Sequence, residues 1–268
     1  MIKYLKKGAF FAFLALFITS CEEVIDIDLN STDPKFVITG TVSDRLEPFS
    51  VRIEKTVNFD QQNEYPAVSG ALVRISDGMQ TFDLMETVPG FYQTAQPQTG
   101  EPGKTYRLTV ETEGQFFEAV SSMPAPVPFD SIKQDRGTQP GGGTSILVVP
   151  VYFDPAGFGN YYRFIQTTNG QKLNNIFVFD DRNNDGIAIT RPLFAPGSDI
   201  ENTVGDTVTV EMQTIDRATY KYFYALDASS GNGPNASVPA NPDNNWNNSA
   251  VLGYFSAHTS QYKTYVIR

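Results

Sequence analysis

The run Asp180-Asp181-Arg182-Asn183-Asn184-Asp185-Gly186 places oxygen-bearing side chains at Asp181, Asn183 and Asp185, just before a glycine. A calcium-binding loop opens this way: alternate oxygens converge on the ion and glycine permits the sharp turn. Two features depart from that pattern. Position twelve is Pro192 where a bidentate glutamate would stand, and a strand-like segment precedes the run. The alternative is a plain hairpin turn, because Asn and Asp-Gly supply the positive φ that tight turns need. Calcium is the only cofactor the residues suggest.

A second chemical candidate is Asn241-Pro242-Asp243-Asn244-Asn245-Trp246-Asn247-Asn248, which surrounds the single tryptophan with amides. Asn244, Asn245, Trp246 and Asn247 form a candidate ligand-binding loop, with the indole stacking on a sugar ring and the amides bonding its hydroxyls. The competing reading is a Trp that pins its own loop to the domain. Nucleophilic catalysis would have to use His258, the one histidine. The chain lacks a Gly-x-Ser-x-Gly elbow, a zinc ligand pattern, a phosphate loop and a dinucleotide fingerprint. Carboxylate pairs that hydrolyse glycosides obey no sequence spacing, so the mere presence of 30 acidic residues decides nothing.

The only cysteine has a different role. Lys3, Lys6 and Lys7 precede an apolar run from Gly8 to Ile18, and Ile18-Thr19-Ser20-Cys21 follows. This reads as a signal peptide over residues 1–20 that ends in a bacterial lipobox, with Cys21 as the lipidation site. The apolar run is too short to span a bilayer, which takes about 20 such residues. Stable attachment takes about two acyl chains; a bacterial lipoprotein cysteine carries three. The expectation is an exported protein held to the membrane by lipid.

Losing three lysines with the signal makes the formal charge of −10 more negative by three. Such a surface repels phosphate backbones, which argues against a nucleic-acid partner. With Cys21 lipidated no thiol remains for a disulfide, so burial must stabilise the fold. The 20 Phe and 13 Tyr supply it and suit pleated surfaces.

The elements that position these residues read as all-β, in two antiparallel sandwich-like domains. Residues 21–33 form an acidic tether. Residues 34–122 show period-two alternation at Phe36, Ile38 and Val42, at Val51 and Ile53, at Ala71, Val73 and Ile75, and at Tyr106, Leu108 and Val110. Turn signals at Asp77-Gly78, Pro89-Gly90, Pro102-Gly103 and Glu113-Gly114 separate about seven strands. Residues 123–128, with Pro124, Pro126 and Pro128, make an extended connector. The second domain, 129–268, has apolar runs at Ile146–Val149 and Ile176–Phe179 that suggest burial on both faces, and clean alternation at Val208, Val210 and Met212. One short helix is expected after Asp216, with Tyr220, Phe223 and Tyr224 on its buried face. From Ser229 to Ser249 the composition is that of a long loop.

Taken in order, several of these segments resemble the domain of unknown function 4249 family, found among Bacteroidetes outer-membrane lipoproteins. They are Cys21-Glu22-Glu23-Val24-Ile25-Asp26-Ile27-Asp28, Phe36-Val37-Ile38-Thr39-Gly40, Val68-Ser69-Gly70-Ala71, Gly103-Lys104-Thr105-Tyr106-Arg107-Leu108, Ser122-Met123-Pro124, Asn160-Tyr161-Tyr162-Arg163 and Leu252-Gly253-Tyr254-Phe255. The resemblance implies an outer-membrane location, a genomic neighbourhood with TonB-dependent receptors and an accessory role in uptake. The acidic residues after Cys21 resemble the surface-export signal of such lipoproteins, which implies a cell-surface orientation. Gly70-Ala71-Leu72-Val73-Arg74-Ile75 with Gly90-Phe91-Tyr92 also looks like the prealbumin-like sandwich of carboxypeptidase-regulatory-like domains, which implies a scaffold and no catalysis. The function expected is a binding or accessory subunit. A structural or adhesive envelope lipoprotein is the alternative, and a carboxylate-based hydrolase ranks third.

Overall fold

The computed structural model describes residues 33–57, 65–138, 144–195, 197–229, 241–248 and 251–268. The signal-peptide segment 1–20, Cys21, the acidic tether up to residue 32 and the glycine-rich stretch 139–143 lie outside the described residues.

Strict alternation builds seven strands before the connector: β1 (Phe36–Ser43), β2 (Ser50–Lys55), β3 (Leu72–Ser76), β4 (Thr81–Val88), β5 (Phe91–Thr94), β6 (Thr105–Thr112) and β7 (Gln115–Ser122). The expected inward set is buried apart from Ala71, which precedes β3 and is half-buried; Ile38, Val51, Ile53, Val73, Ile75, Leu108 and Val110 are fully inaccessible. The Gly-x-Tyr signal acquires a reason here. The Tyr92 hydroxyl donates to the Val68 carbonyl at 2.8 Å and accepts from the Ala71 N–H at 3.0 Å, tying β5 to the turn that leads into β3.

After the connector come β8 (Phe129–Thr138), β9 (Thr144–Phe153), β10 (Tyr161–Thr168), β11 (Gln171–Lys172), β12 (Phe177–Asp180), β13 (Ala188–Thr190), β14 (Thr207–Ile215), the helix α1 (Arg217–Ser229) and β15 (Leu252–Val266). β13, β9 and β8 form a separate three-stranded sheet. Its inner face meets β10 and β14 through Phe129, Ile132, Val148, Tyr152, Phe164, Val208, Val210 and Met212, which form one hydrophobic cluster. The apolar runs are less buried than their composition suggests. Val148 and Val149 are buried, but in Ile176–Phe179 only Phe177 is, because β12 is a four-residue strand paired to β10 alone.

The connector divides the chain but not the sheet. Twelve strands form one sheet, with the path β11-β10-β14-β15-β1-β2-β5-β4-β3-β6-β7 and β12 beside β10. β15 joins the halves: Leu252–His258 pairs in parallel with β1, and Thr259–Val266 pairs antiparallel with β14. Phe255 and Ala257 accordingly belong to the core of the first half. The parallel pairing rests on Gly253, whose φ of 93° is left-handed and whose added Cβ would lie 2.2 Å from the Ile38 carbonyl oxygen. Met123 and Val127, near the two ends of the connector, are each buried, one in each hydrophobic cluster.

Candidate functional site

Trp246 is 8 % exposed and belongs to the core of the first half. The reading of the indole as a sugar-stacking platform therefore gives way to the other: it pins its own segment. The amides show how. The Asn247 N–H donates to the Glu118 carbonyl at 2.8 Å, and Asn247 Oδ1 accepts from the Glu118 N–H at 3.0 Å. Asn245 Nδ2 donates to the Val120 and Phe255 carbonyls, and its Oδ1 accepts from the Phe255 N–H. Asn244 Nδ2 donates to the Val251 carbonyl and its Oδ1 accepts from the Trp246 N–H. Asparagine carries donor and acceptor in peptide-like geometry, so Asn244–Asn247 adds a partial rung to the open edge of β7. Covering an edge in this way protects its unpaired backbone groups.

The same segment forms one wall of a cleft of about 840 Å³, within the usual range for small-molecule sites. Asn241, Pro242, Asp243, Asn244, Trp246 and Asn247 line this wall, and Leu252 adds an apolar contact. The facing wall is the start of α1, with Arg217, Ala218 and Lys221. Asp216 sets the position of that helix. Its Oδ1 accepts from the Thr219 N–H at 2.8 Å, capping the first turn as expected. Its Oδ2 accepts from the Ser121 hydroxyl at 2.7 Å and the Ser122 N–H at 3.2 Å. Behind the cap, Tyr220 and Phe223 are buried while Tyr224 is exposed, so the packed face is narrower than the three-aromatic stripe suggested. Tyr222 and Phe223 pack on Tyr254 of β15, with ring centroids 5.0 and 4.8 Å apart.

Arg217 and Lys221 carry no sequence motif and look like ordinary solvated positions on a helix. Their spacing is the missed signal: i and i+4 lie on one face. Neither makes an ion pair with a described residue.

The acidic run lies elsewhere. Residues 181–186 form no hairpin, because β12 and β13 belong to different sheets and the turn crosses between them. Asp181 and Asp185 converge there with Asp154, which follows β9, so that one oxygen from each lies within 4.8 Å of the others. Asn183, on the same turn, is exposed. Three carboxylate oxygens are ligands of the kind a hard divalent cation takes. They also staple two loops. Asp181 Oδ2 accepts from the Gly159 and Asn160 N–H groups at 2.7 and 2.8 Å, and Asp185 Oδ1 accepts from Gly157 at 2.6 Å. Asp154 is buried and accepts from the Tyr162 hydroxyl and the Gly186 N–H. Burial pushes the Asp154 carboxyl above its ordinary range, and the neighbouring Asp181 and Asp185 charges add to this.

His258 is also buried, apart from both places. Gln213 Nε2 lies 3.2 Å from its Nε2 and Ser256 Oγ lies 3.1 Å from its Nδ1. Gln213 Nε2 also donates to Glu211, which makes His258 Nε2 an acceptor and assigns the ring proton to Nδ1. Burial pulls the imidazole down to about 4. It is a neutral core histidine.

The profile of a family described as "Domain of unknown function (DUF4249)" matches residues 22–264, nearly the whole chain. The chain belongs to the DUF4249 family. No curated protein matches it. The DUF4249 match spans both halves, including the cleft, the three aspartates and the long β15.

Proposed function

We propose that this DUF4249 protein is a lipid-anchored binding subunit of the bacterial outer membrane, displayed at the cell surface as an accessory to a TonB-dependent receptor. The observation that carries the reading is the cleft between α1 and Asn241–Asn247. Its walls are fixed from behind by Asp216 and Asn245, as a preorganised binding surface requires. The lipobox at Cys21 and the acidic residues behind it support the anchor and its orientation. The high net negative charge supports a partner other than nucleic acid.

The single tryptophan makes the test direct. Biosynthetic 5-fluorotryptophan gives one ¹⁹F resonance, and Trp246 lines the cleft. Adding the small-solute fraction of the growth medium should shift that resonance saturably. A resonance unmoved by any fraction would contradict a solute-binding role.

A further inference from the structure

The cleft carries an unbalanced set of hydrogen-bonding groups. On the helix wall, Arg217 and Lys221 are exposed and form no ion pair with a described residue. On the loop wall, Asn241 makes no hydrogen bond to a described residue, and Asn247 uses its Oδ1 on Glu118 while its Nδ2 has no described partner. Arginine offers five donors and lysine three. Against these stands one carboxylate, Asp243.

We infer that this cleft takes a small anionic sugar, its carboxylate or phosphate held by Arg217 and Lys221. This rests on the cleft being a binding site, as proposed above. Arg217 supplies the planar fork that meets an oxyanion bidentately, and Lys221 adds a point charge one turn along. Asn241 and Asn247 Nδ2 donate to ring or hydroxyl oxygens, and Asp243 accepts from a hydroxyl. Trp246 and Leu252 supply an apolar wall, with the indole contributing shape and no stacking face. A volume of about 840 Å³ admits a disaccharide and exceeds what a lone phosphate needs.

Calorimetry on the full-length protein in detergent tests this with digalacturonate, glucose 6-phosphate, neutral digalactose and inorganic phosphate. Digalacturonate or glucose 6-phosphate should bind at least tenfold tighter than both digalactose and inorganic phosphate. Which of the two binds distinguishes a carboxylate from a phosphate as the anion. The double variant Arg217→Gln/Lys221→Gln should lose at least tenfold for the anionic sugar. A control pair of equal charge change away from the cleft, Lys133→Gln/Arg136→Gln, should stay within twofold. Equal binding of digalactose, or undiminished binding by the Arg217/Lys221 variant, would overturn the anionic class while leaving a binding cleft. Binding of inorganic phosphate as tight as that of the sugars would overturn the sugar. Binding of none of the four would overturn the inference, and the ¹⁹F response to medium solutes would then judge the cleft separately.

Discussion

The Asp216 carboxylate accepts a 2.7 Å hydrogen bond from the hydroxyl of Ser121, a residue 95 positions earlier in the chain. Ser121 in turn accepts from the Ala257 N–H at 2.8 Å, so one buried hydroxyl links the helix cap, the end of β7 and β15. The cleft depends on this link, because it fixes where Arg217 and Lys221 stand relative to the loop carried by β7.

Replacing Asp216 with Ala should therefore cost more than an ordinary cap. Loss of the cap costs about 1 kcal/mol, and the buried Ser121 hydroxyl, left without its acceptor, adds to it, for a total of about 2–4 kcal/mol. Thermal unfolding should show the loss. Asp216→Asn, which keeps an acceptor for Thr219, should recover about half of it.

Asn245→Ala removes three hydrogen bonds that hold Trp246's segment to β7 and β15. Stability should fall by about 2–4 kcal/mol, as the N–H and carbonyl of the buried Phe255 are left unpaired. The emission of the only tryptophan should move to the red as water reaches the indole. A variant that melts early with unchanged emission would show that the amide does not hold the segment.

How much of this was legible in the sequence depended on how local the signal is. Val208, Val210 and Met212 announced a strand because each sees the same core at period two. Asp216 announced a helix start because capping acts over three residues. By contrast, β15 buries every residue from Phe255 to Ser260, and a mostly polar run buried without alternation carries no strand periodicity. Asp154 joins Asp181 and Asp185 only because β9 ends beside that turn, which no spacing encodes. Trp246 was ambiguous for a similar reason: whether an amphipathic ring packs or projects depends on the β7 edge it meets.

Gly253→Ala should be among the most damaging single-methyl changes. The new Cβ meets the Ile38 backbone, and alanine resists a φ of 93°. A loss of about 2–4 kcal/mol is expected. It should appear as earlier hydrogen exchange in both β1 and β15, since the parallel pairing joins them.

His258 predicts an acid weakness. Its folded pKa, about 4, lies below the ordinary imidazole value of 6.5, so the unfolded chain binds the extra proton first. The stability this histidine tolerates is complete above pH 6.5 and falls as pH drops towards 4, by up to about 3 kcal/mol. His258→Gln should flatten the stability profile over that window in denaturant titrations. An unchanged slope would mean that the ring is hydrated when folded.

The accessory-subunit reading is tested most directly by crosslinking intact outer membranes and purifying the tagged full-length protein, with partners identified by mass spectrometry. One TonB-dependent receptor at near-stoichiometric yield is the expected result. Recovery of the protein alone, or with a scatter of abundant porins, would contradict it and favour a structural or adhesive envelope role.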